Sequence, residues 1–208
     1  MRRTSVACLL LIVALLPLTG CPSINWHFLT VEEGAFYRSA QMSGGLLKAV
    51  IKRLDIKTII NFRGANPDEE WYQDEIAACE ELSVAHYDFS WSMSNLPDPE
   101  SLARYVSLVD DVERPILVHC AGGTHRAGVA AAVYLLCKGA TVDEAREQFG
   151  LFFNDAPIGT LLDLYKGADM PFHQWVEQEY PEAYARAIDT PDGERDKKVP
   201  AGSVQPAS

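Results

Sequence analysis

Short, β-rich apolar runs alternate with longer amphipathic segments along most of the chain. The runs predict four strands, at residues 36–38, 58–62, 84–89 and 116–119. The segments between them have the apolar spacing of helices, which are therefore predicted at residues 44–54, 67–82 and 98–112. Strands that alternate with helices build a parallel or mixed sheet. The expected fold class is α/β, with a small mixed or parallel sheet flanked by helices.

The predicted helices carry recognisable start signals. Asn66-Pro67 and Asp98-Pro99 each place a capping side chain before a proline that suits the first helical turn. Thr141 and Glu144 have the spacing of a capping box. Residues 127–136 are apolar on every side, which predicts a buried central helix. Further helices are expected at residues 141–149, 159–166 and 171–188.

The first residues have the anatomy of an export signal. A basic start precedes an apolar run, residues 6–16, that is shorter than the roughly 20 residues of a membrane-spanning helix. The following Leu18-Thr19-Gly20-Cys21 resembles the bacterial lipobox, which implies cleavage before Cys21 and lipidation of its thiol. A plain secretory signal with an incidental cysteine is the alternative. The expected location is the bacterial cell envelope, with a lipid anchor on the periplasmic or extracytoplasmic face of a membrane.

These signals divide the chain into four parts. Residues 1–20 are the predicted lipoprotein signal peptide, and residues 21–35 are the predicted lipidated N-terminus and tether. Residues 36–188 contain the predicted strands and helices and form one folded domain. Residues 189–208 are rich in Pro, Gly, Asp and Lys without periodicity, which predicts a disordered tail.

Composition adds one restriction on partners. With 48% hydrophobic and 23% charged residues, the chain can bury a core of ordinary size. Its formal net charge is −11, and loss of Arg2 and Arg3 with the leader makes the mature chain more acidic. An acidic surface repels the phosphates of nucleic acid, so nucleic acid is not an expected partner.

The segment with candidate chemistry runs from the last predicted strand into the buried helix. Cys120 ends the strand, a loop with two glycines follows, and Arg126 opens the helix. Backbone N–H groups of such a loop can converge on a phosphate, and the helix N-terminus adds positive potential. The same field favours a nucleophilic thiolate at Cys120. The planar guanidinium of Arg126 suits two phosphate oxygens at once.

This segment, His119 to Arg126, resembles the His-Cys-x5-Arg phosphate loop of the cysteine-dependent protein tyrosine and dual-specificity phosphatases. Most of residues 36–150 resembles their compact, atypical branch. The resemblance implies that residues 36–188 form a phosphatase domain that hydrolyses phosphate monoesters through a phosphocysteine, without a metal or organic cofactor. It implies Cys120 as nucleophile and His119 as its orienting support. The phosphate-binding residues that it implies are Ala121, Gly122, Gly123, Thr124, His125 and Arg126.

Two positions raise questions about catalysis. Family members usually place Ser or Thr after the loop arginine to stabilise the departing thiolate, whereas Ala127 stands here, so slow breakdown of the phosphocysteine is expected. The family also supplies an upstream Asp that protonates the leaving oxygen. Asp88, at the end of the third predicted strand, is the candidate for this general acid, and a purely structural Asp88 is the alternative. Asp98 is nearer in sequence but is expected to cap a helix.

Other residues have two interpretations each. Arg38 and Arg63 either contact substrate or form structural ion pairs, and the ion pair is favoured. His125 either donates near the phosphate or is merely exposed. Cys79 and Cys137 fall on predicted helices and are expected to be buried free thiols, with a disulfide as the alternative in an oxidising compartment.

The sequence also narrows the substrate. The loop interior, residues 121–125, contains no Lys or Arg. Together with the acidic charge, this favours a phosphorylated protein or a small phosphoester over a crowded polyanion. An inositol-phosphate phosphatase and a catalytically weak phosphate-binding or adaptor protein are the alternatives. Sulfur transfer or arsenate reduction on a similar cysteine loop is a third alternative, but Arg126 at this spacing and the strands before the loop fit a phosphatase better.

Overall fold

A computed structural model describes residues 27–189 of the chain. The predicted signal peptide, the predicted lipidation site Cys21 and the predicted tail from residue 190 lie outside the described residues. Within residues 27–189, no helix combines the length and apolar character needed to cross a bilayer.

The fold is built on one mixed sheet, which confirms the predicted α/β class. Its strands lie in the order β1-β2-β5-β3-β4, and only the β1–β2 pair is antiparallel. The strands are β1 (Leu29–Glu32), β2 (Phe36–Ala40), β3 (Thr58–Asn61), β4 (Ala85–Asp88) and β5 (Ile116–Cys120).

Strand β1 corrects the predicted tether. The tether was predicted at residues 21–35, but Leu29 pairs with Arg38 and Thr30 with Tyr37, so the folded domain begins before Phe36. Only four residues form this strand, and its half-exposed side chains lack the regular apolar alternation that predicts strands. The strand covers one edge of β2.

The helices largely follow the amphipathic pattern. They are α1 (Gly44–Leu54), α2 (Glu70–Leu82), α3 (Pro99–Asp111), α4 (Arg126–Cys137), α5 (Val142–Arg146), α6 (Thr160–Tyr165), α7 (Phe172–Gln178) and α8 (Tyr180–Asp189), with a 3₁₀ turn at Pro157–Gly159. The prediction of one helix over residues 171–188 is wrong, because the helix is interrupted at Glu179, between α7 and α8. The tail predicted over residues 189–208 is wrong at its first residue, because Asp189 is the last residue of α8.

The predicted caps have mixed outcomes. Asp98 caps α3 by accepting a hydrogen bond from Ser101 N, and Thr141 forms the predicted capping box with Glu144. The cap predicted at Asn66 is wrong. Asn66 instead donates to the carbonyl of Gly64 at 2.7 Å, and α2 begins only at Glu70. The amide side chain has bound the backbone that precedes it, as Asn often does in turns.

The two faces of the sheet pack into separate cores. Val118 and Cys120 of β5 lie in the larger core, which α3, α4 and the later helices cover. Leu117 lies in the smaller core beneath α1 and α2. Because side chains alternate along a strand, His119 belongs to the α2 face, whereas Cys120 belongs to the α4 face. The two neighbours in the sequence therefore have different surroundings.

Candidate active site

Cys120 is the last residue of the central strand. Strands β2, β5, β3 and β4 are parallel, so their carboxyl ends meet at one edge of the sheet. Open α/β sheets bind ligands at this edge. The Cys120 thiol is free, and the residue is only 3% exposed. The predicted nucleophile thus lies where a ligand can reach the end of the sheet while most of the residue stays away from water.

The loop after Cys120 passes close to the end of β2. Gly123 has a φ of 72°, which favours glycine. A Cβ atom at this position would lie 2.5 Å from Ala40 N and 2.7 Å from the carbonyl carbon of Ser39, too close for any side chain. A hydrogen bond from Gln41 N to Ala121 O, 3.3 Å long, ties the same strand end to the start of the loop. The loop is therefore held against β2 by backbone contacts that only glycine allows.

The loop leaves several N–H groups available. Residues 121–125 donate no backbone hydrogen bond to another backbone group in the described part of the chain. The carbonyls of Thr124 and His125 accept from Gly128 N and Val129 N at 3.1 and 2.9 Å, which starts helix α4. The loop donors thus lie beside the N-terminus of a 12-residue helix. Both features stabilise a bound oxyanion.

Arg126 is anchored across the carboxyl edge of the sheet. Its Nη1 donates to the carbonyl of Phe62, which follows β3, at 2.9 Å, and to the carbonyl of Trp91, beyond β4, at 3.4 Å. The two bonds fix one nitrogen of the guanidinium fork. Since a guanidinium has five N–H donors, the others can bind a ligand.

Arg63 lies beside the same site and does not form the favoured ion pair. Within residues 27–189 it contacts no carboxylate directly; its guanidinium carbon lies 3.5 Å from the centre of the Trp71 ring, and its Nη1 donates to Gln41 Oε1 at 3.0 Å. Burial and the nearby charge of Arg126 lower the pKa of Arg63. Two arginines that repel each other therefore lie close together, which is an arrangement that an anion would stabilise.

Behind the loop, His119 donates to a carboxylate that the sequence analysis did not single out. The Nε2 atoms of His119 and His86 lie 3.0 and 2.9 Å from the same Oε1 atom of Glu75, and Gln41 Nε2 lies 2.8 Å from the other oxygen. Because an ionised carboxylate only accepts, Nε2 of His119 carries a proton. Glu75 thereby fixes the ring of the residue that precedes Cys120. The supporting role of His119 stays a prediction.

Glu75 is a buried charge with several donors. Burial would raise the pKa of this carboxyl group, but the hydrogen bonds from His119, His86 and Gln41 outweigh it and lower the pKa to about 2. Its position was visible in the sequence, since Glu75 shares the buried side of α2 with Ala78 and Cys79 at helical spacing. An acid within an apolar stripe predicts a buried, paired carboxylate.

Asp88 ends β4, two strands away from Cys120. Its Oδ1 accepts from Asn61 Nδ2 at 2.7 Å and its Oδ2 accepts from Tyr72 Oη at 2.6 Å. Burial and the bond to Asp88 raise the pKa of Tyr72 to about 12, so the phenol keeps its proton and remains the donor. Asn61 pairs with both Asp88 and His119, which places the Asp88 side chain on the α2 face of the sheet. Its role as general acid stays a prediction.

The remaining candidates occupy distinct places. His125 precedes α4, and its half-buried ring lies 5.5 Å from that of Phe153. Ala127 is fully buried in the first turn of α4. Cys79 and Cys137 are free and pack on opposite faces of the sheet. Cys79 is buried, as expected, whereas Cys137 is only partly buried. Burial raises the pKa of both thiols to about 12, which makes them poor nucleophiles compared with a thiolate.

Solved structures of phosphatases share this fold. TpbA from P. aeruginosa matches with a TM-score of 0.54 at 22% identity over 76% of this chain and 91% of its own. A variant of TpbA in complex with phosphotyrosine matches with a TM-score of 0.51 at 22% identity, over 79% of this chain and 99% of its own. The core catalytic domain of the PP-IP phosphatase SIW14 from S. cerevisiae matches with a TM-score of 0.50 at 20% identity, over 78% of this chain and 90% of its own. At these identities the likeness concerns the fold.

Sequence comparison gives a more specific result. No curated protein matches the chain. A family model described as "PTP-SAK: Swiss Army Knife protein, DSP-PTPase phosphatase domain" matches residues 37–157, which include β2 to β5, the loop after Cys120 and helix α4. The match covers more than half of the sequence, and the chain belongs to this family of cysteine-dependent phosphatases.

Proposed function

We propose that the chain hydrolyses phosphate monoesters with Cys120 as nucleophile and Arg126 as phosphate ligand. The observation that supports this most strongly is the position of Cys120 between the central strand and a loop whose N–H groups have no backbone acceptor in the described residues. Those donors, together with the free nitrogens of Arg126, match the three equatorial oxygens on which charge is spread in phosphoryl transfer.

The proposed reaction has two displacements. The Cys120 thiolate attacks phosphorus in line, so that an S–P bond forms as the P–O bond to the leaving group breaks and its electron pair stays on that oxygen. Water then attacks the phosphocysteine, the S–P bond breaks, and inorganic phosphate and the thiolate are released. The proton that water loses goes to solvent, and the leaving oxygen takes up a proton. Splitting the hydrolysis in this way replaces one difficult step with two easier ones.

The source of the leaving-group proton limits the substrate. Both oxygens of Asp88 already accept hydrogen bonds, whereas a general acid must present a protonated oxygen to the leaving group. The segment that follows β4, residues 89–97, contains no Asp or Glu. The proposed mechanism therefore favours leaving groups that depart without a proton donor, such as the phenol of phosphotyrosine.

The proposed substrates are phosphotyrosine proteins or a small aryl phosphoester. The TpbA variant solved with phosphotyrosine supports this class, and so does the absence of Lys and Arg from residues 121–125. Phosphoserine and phosphothreonine, whose alkoxide leaving groups are more basic, would react more slowly. Inositol-phosphate hydrolysis is the second candidate, since SIW14 of the same fold is a PP-IP phosphatase.

We also propose that the mature enzyme is anchored to a membrane of the cell envelope through a lipid on Cys21. The order of basic start, apolar run and Leu18-Thr19-Gly20-Cys21 supports it. Expression of the full chain and of Cys21→Ser in a bacterium tests the anchor. We expect the wild type in the membrane fraction with the mass of a lipidated N-terminus, and Cys21→Ser without the added mass. An unmodified wild type that fractionates as a soluble protein would contradict it.

Hydrolysis of p-nitrophenyl phosphate by the full chain, without added metal, tests the enzyme. We expect vanadate-sensitive activity that falls at least a thousandfold in Cys120→Ser and Arg126→Ala. Cys137→Ser, which replaces a thiol at the far end of α4, is the matched control and should retain wild-type activity. A wild type that binds vanadate but releases no phosphate would instead support a phosphate-binding or adaptor protein.

A further inference from the structure

A third arginine, Arg38, lies behind the loop that follows Cys120 and is almost completely buried. Arg38 is in β2 and pairs with Val118 of β5, while Ala40 pairs with Cys120. Residues that pair across parallel strands lie on the same face, and so do residues two apart along a strand. Arg38 therefore shares the α4 face of the sheet with Cys120, one strand away from it.

The guanidinium of Arg38 is enclosed. The residue is 4% exposed, and its Nε and Nη1 atoms have no hydrogen-bond partner among the described residues. Its Nη1 lies against the first turn of α4, where a Cβ atom on Gly128 would be 2.7 Å away. Gly128 thus makes room for a charged group at the beginning of the helix that follows the loop.

The charge on Arg38 has no carboxylate to balance it. Burial lowers the pKa of Arg38 to about 10, and the nearby Cys120 acts in the opposite direction, so the guanidinium remains a cation at neutral pH. Within residues 27–189 it forms no ion pair. A buried charge without a partner is costly, and proteins keep such charges mainly at functional sites. The negative charge that acts on Arg38 is that of Cys120. The carboxylate of Glu32 in β1 instead accepts a hydrogen bond from Tyr134 Oη of α4.

The other charged and titratable groups around Cys120 have different tasks. They are Arg63 after β3, Arg126 of α4, His125 of the loop, Tyr105 of α3, and the pair of His119 with Glu75 on the opposite face. Arg63 and Arg126 are partly exposed and can contact substrate, whereas Arg38 is too deeply buried to do so.

We propose that Arg38 is a positioning residue for Cys120: from its enclosed place between β2 and α4, its charge holds the cysteine as a thiolate and never contacts substrate. The proposal rests on the proposed function only in that the thiolate is the attacking group. It assigns a role to a residue for which the sequence favoured an ion pair.

Three variants of Arg38 and one control test the proposal. Arg38→Met keeps the length and removes the charge, Arg38→Gln keeps a polar group, and Arg38→Lys keeps the charge. Arg114→Met is the control, because Arg114 also has a buried Nε without a partner in the described residues but precedes the opposite end of β5. The readout is the rate of Cys120 alkylation by iodoacetamide as a function of pH, measured on the full chain by mass spectrometry of the Cys120 peptide.

We expect the midpoint of the alkylation profile to move up by about one pH unit or more in Arg38→Met and Arg38→Gln. It should stay near the wild-type value in Arg38→Lys and in Arg114→Met. On an aryl phosphate at neutral pH, kcat should fall about tenfold or more in Arg38→Met while KM changes little. Thermal unfolding adds a second readout, since replacing an unpaired buried charge with an apolar side chain should leave the Tm unchanged or raise it.

Folded Arg38→Met or Arg38→Gln with the wild-type alkylation profile would overturn the proposal. If Arg38→Met does not fold, the alkylation profiles of Arg38→Gln and Arg38→Lys are compared instead, and identical profiles would overturn the proposal. Alkylation does not require turnover, so it also separates this proposal from the proposed function. A chain that hydrolyses no phosphoester but shows the shifted profile would refute the function and leave the role of Arg38 standing.

Discussion

The carboxylate of Glu75 accepts a hydrogen bond from His119 Nε2 at 3.0 Å and thereby links helix α2 to the residue that precedes Cys120. The two residues are 44 positions apart in the sequence. The contact reaches strand β5 from the face of the sheet opposite Cys120. The loop that follows Cys120 is therefore supported from two sides, by α4 on one face and by a buried carboxylate on the other.

Glu75→Gln should destabilise the domain in a pH-dependent manner. Because the folded protein lowers the pKa of Glu75 from an ordinary 4.5 to about 2, its stabilising contribution is complete above pH 4.5 and is lost as the pH falls towards 2. Breaking this buried pair should cost about 3 kcal/mol at pH 7. Urea unfolding from pH 3 to pH 7 should show the two proteins converging at low pH. Glu80→Gln, which changes an exposed acid on the same helix, is the control and should have the stability of the wild type. If Glu75→Gln lowers the free energy of unfolding by the same amount at every pH, the prediction is wrong.

Gly123→Ala should abolish most of the activity. The added methyl group would meet Ala40 N and the Ser39 carbonyl carbon at less than 3 Å, and the φ of 72° is strained for alanine. The loop must then leave β2, and kcat/KM should fall about a hundredfold or more. Gly122→Ala is the comparison, since nothing lies within 4 Å of its added methyl group. Equal losses in the two variants would show that the close approach to β2 is not what matters.

Ala127→Ser should speed up breakdown of the phosphocysteine. With alanine after the loop arginine, the second displacement should limit turnover, so the wild type should show a burst of phenol release before the steady state. The variant should have a smaller burst and a higher kcat. Ala131→Ser adds a hydroxyl one turn further along α4, at another fully buried position, and should leave the burst unchanged. A wild type without a burst, and with the same turnover as Ala127→Ser, would refute this interpretation.

Asp88→Asn should leave the dependence on leaving group unchanged. The wild type should hydrolyse aryl phosphates faster as the phenol becomes more acidic, because no positioned acid compensates for a basic leaving group. If Asp88 serves only to bind Tyr72 and Asn61, the hydrolysis rate of the variant should depend on the pKa of the phenol with the same slope as in the wild type. The rate itself should fall less than tenfold for every substrate. A loss of a hundredfold on phenyl phosphate but not on nitrophenyl phosphate would restore Asp88 as the general acid.

Local signals were sufficient for the loop but not for its surroundings. The strand, the glycines and the apolar helix around Cys120 are adjacent in the sequence, so their pattern predicted the geometry that the structure has. Glu75, Arg38 and Arg63 act through contacts between distant elements, and no spacing in the sequence shows which groups will meet. The ion pair favoured for Arg38 failed for this reason: its position in β2 was predicted, but whether a carboxylate meets its guanidinium depends on the packing of α4.

If the proposed lipid anchor is present, the edge strand β1 limits the distance between the folded domain and the membrane. With a lipid on Cys21 as proposed, residues 22–28 are all that separates the bilayer from the sheet, and fully extended they span at most about 25 Å. The catalytic edge can then explore only a thin layer above the lipid headgroups, in which the enzyme has a high effective concentration towards anything held on the same surface. Its substrates should therefore be sought among phosphorylated groups displayed at that surface rather than in the surrounding solution.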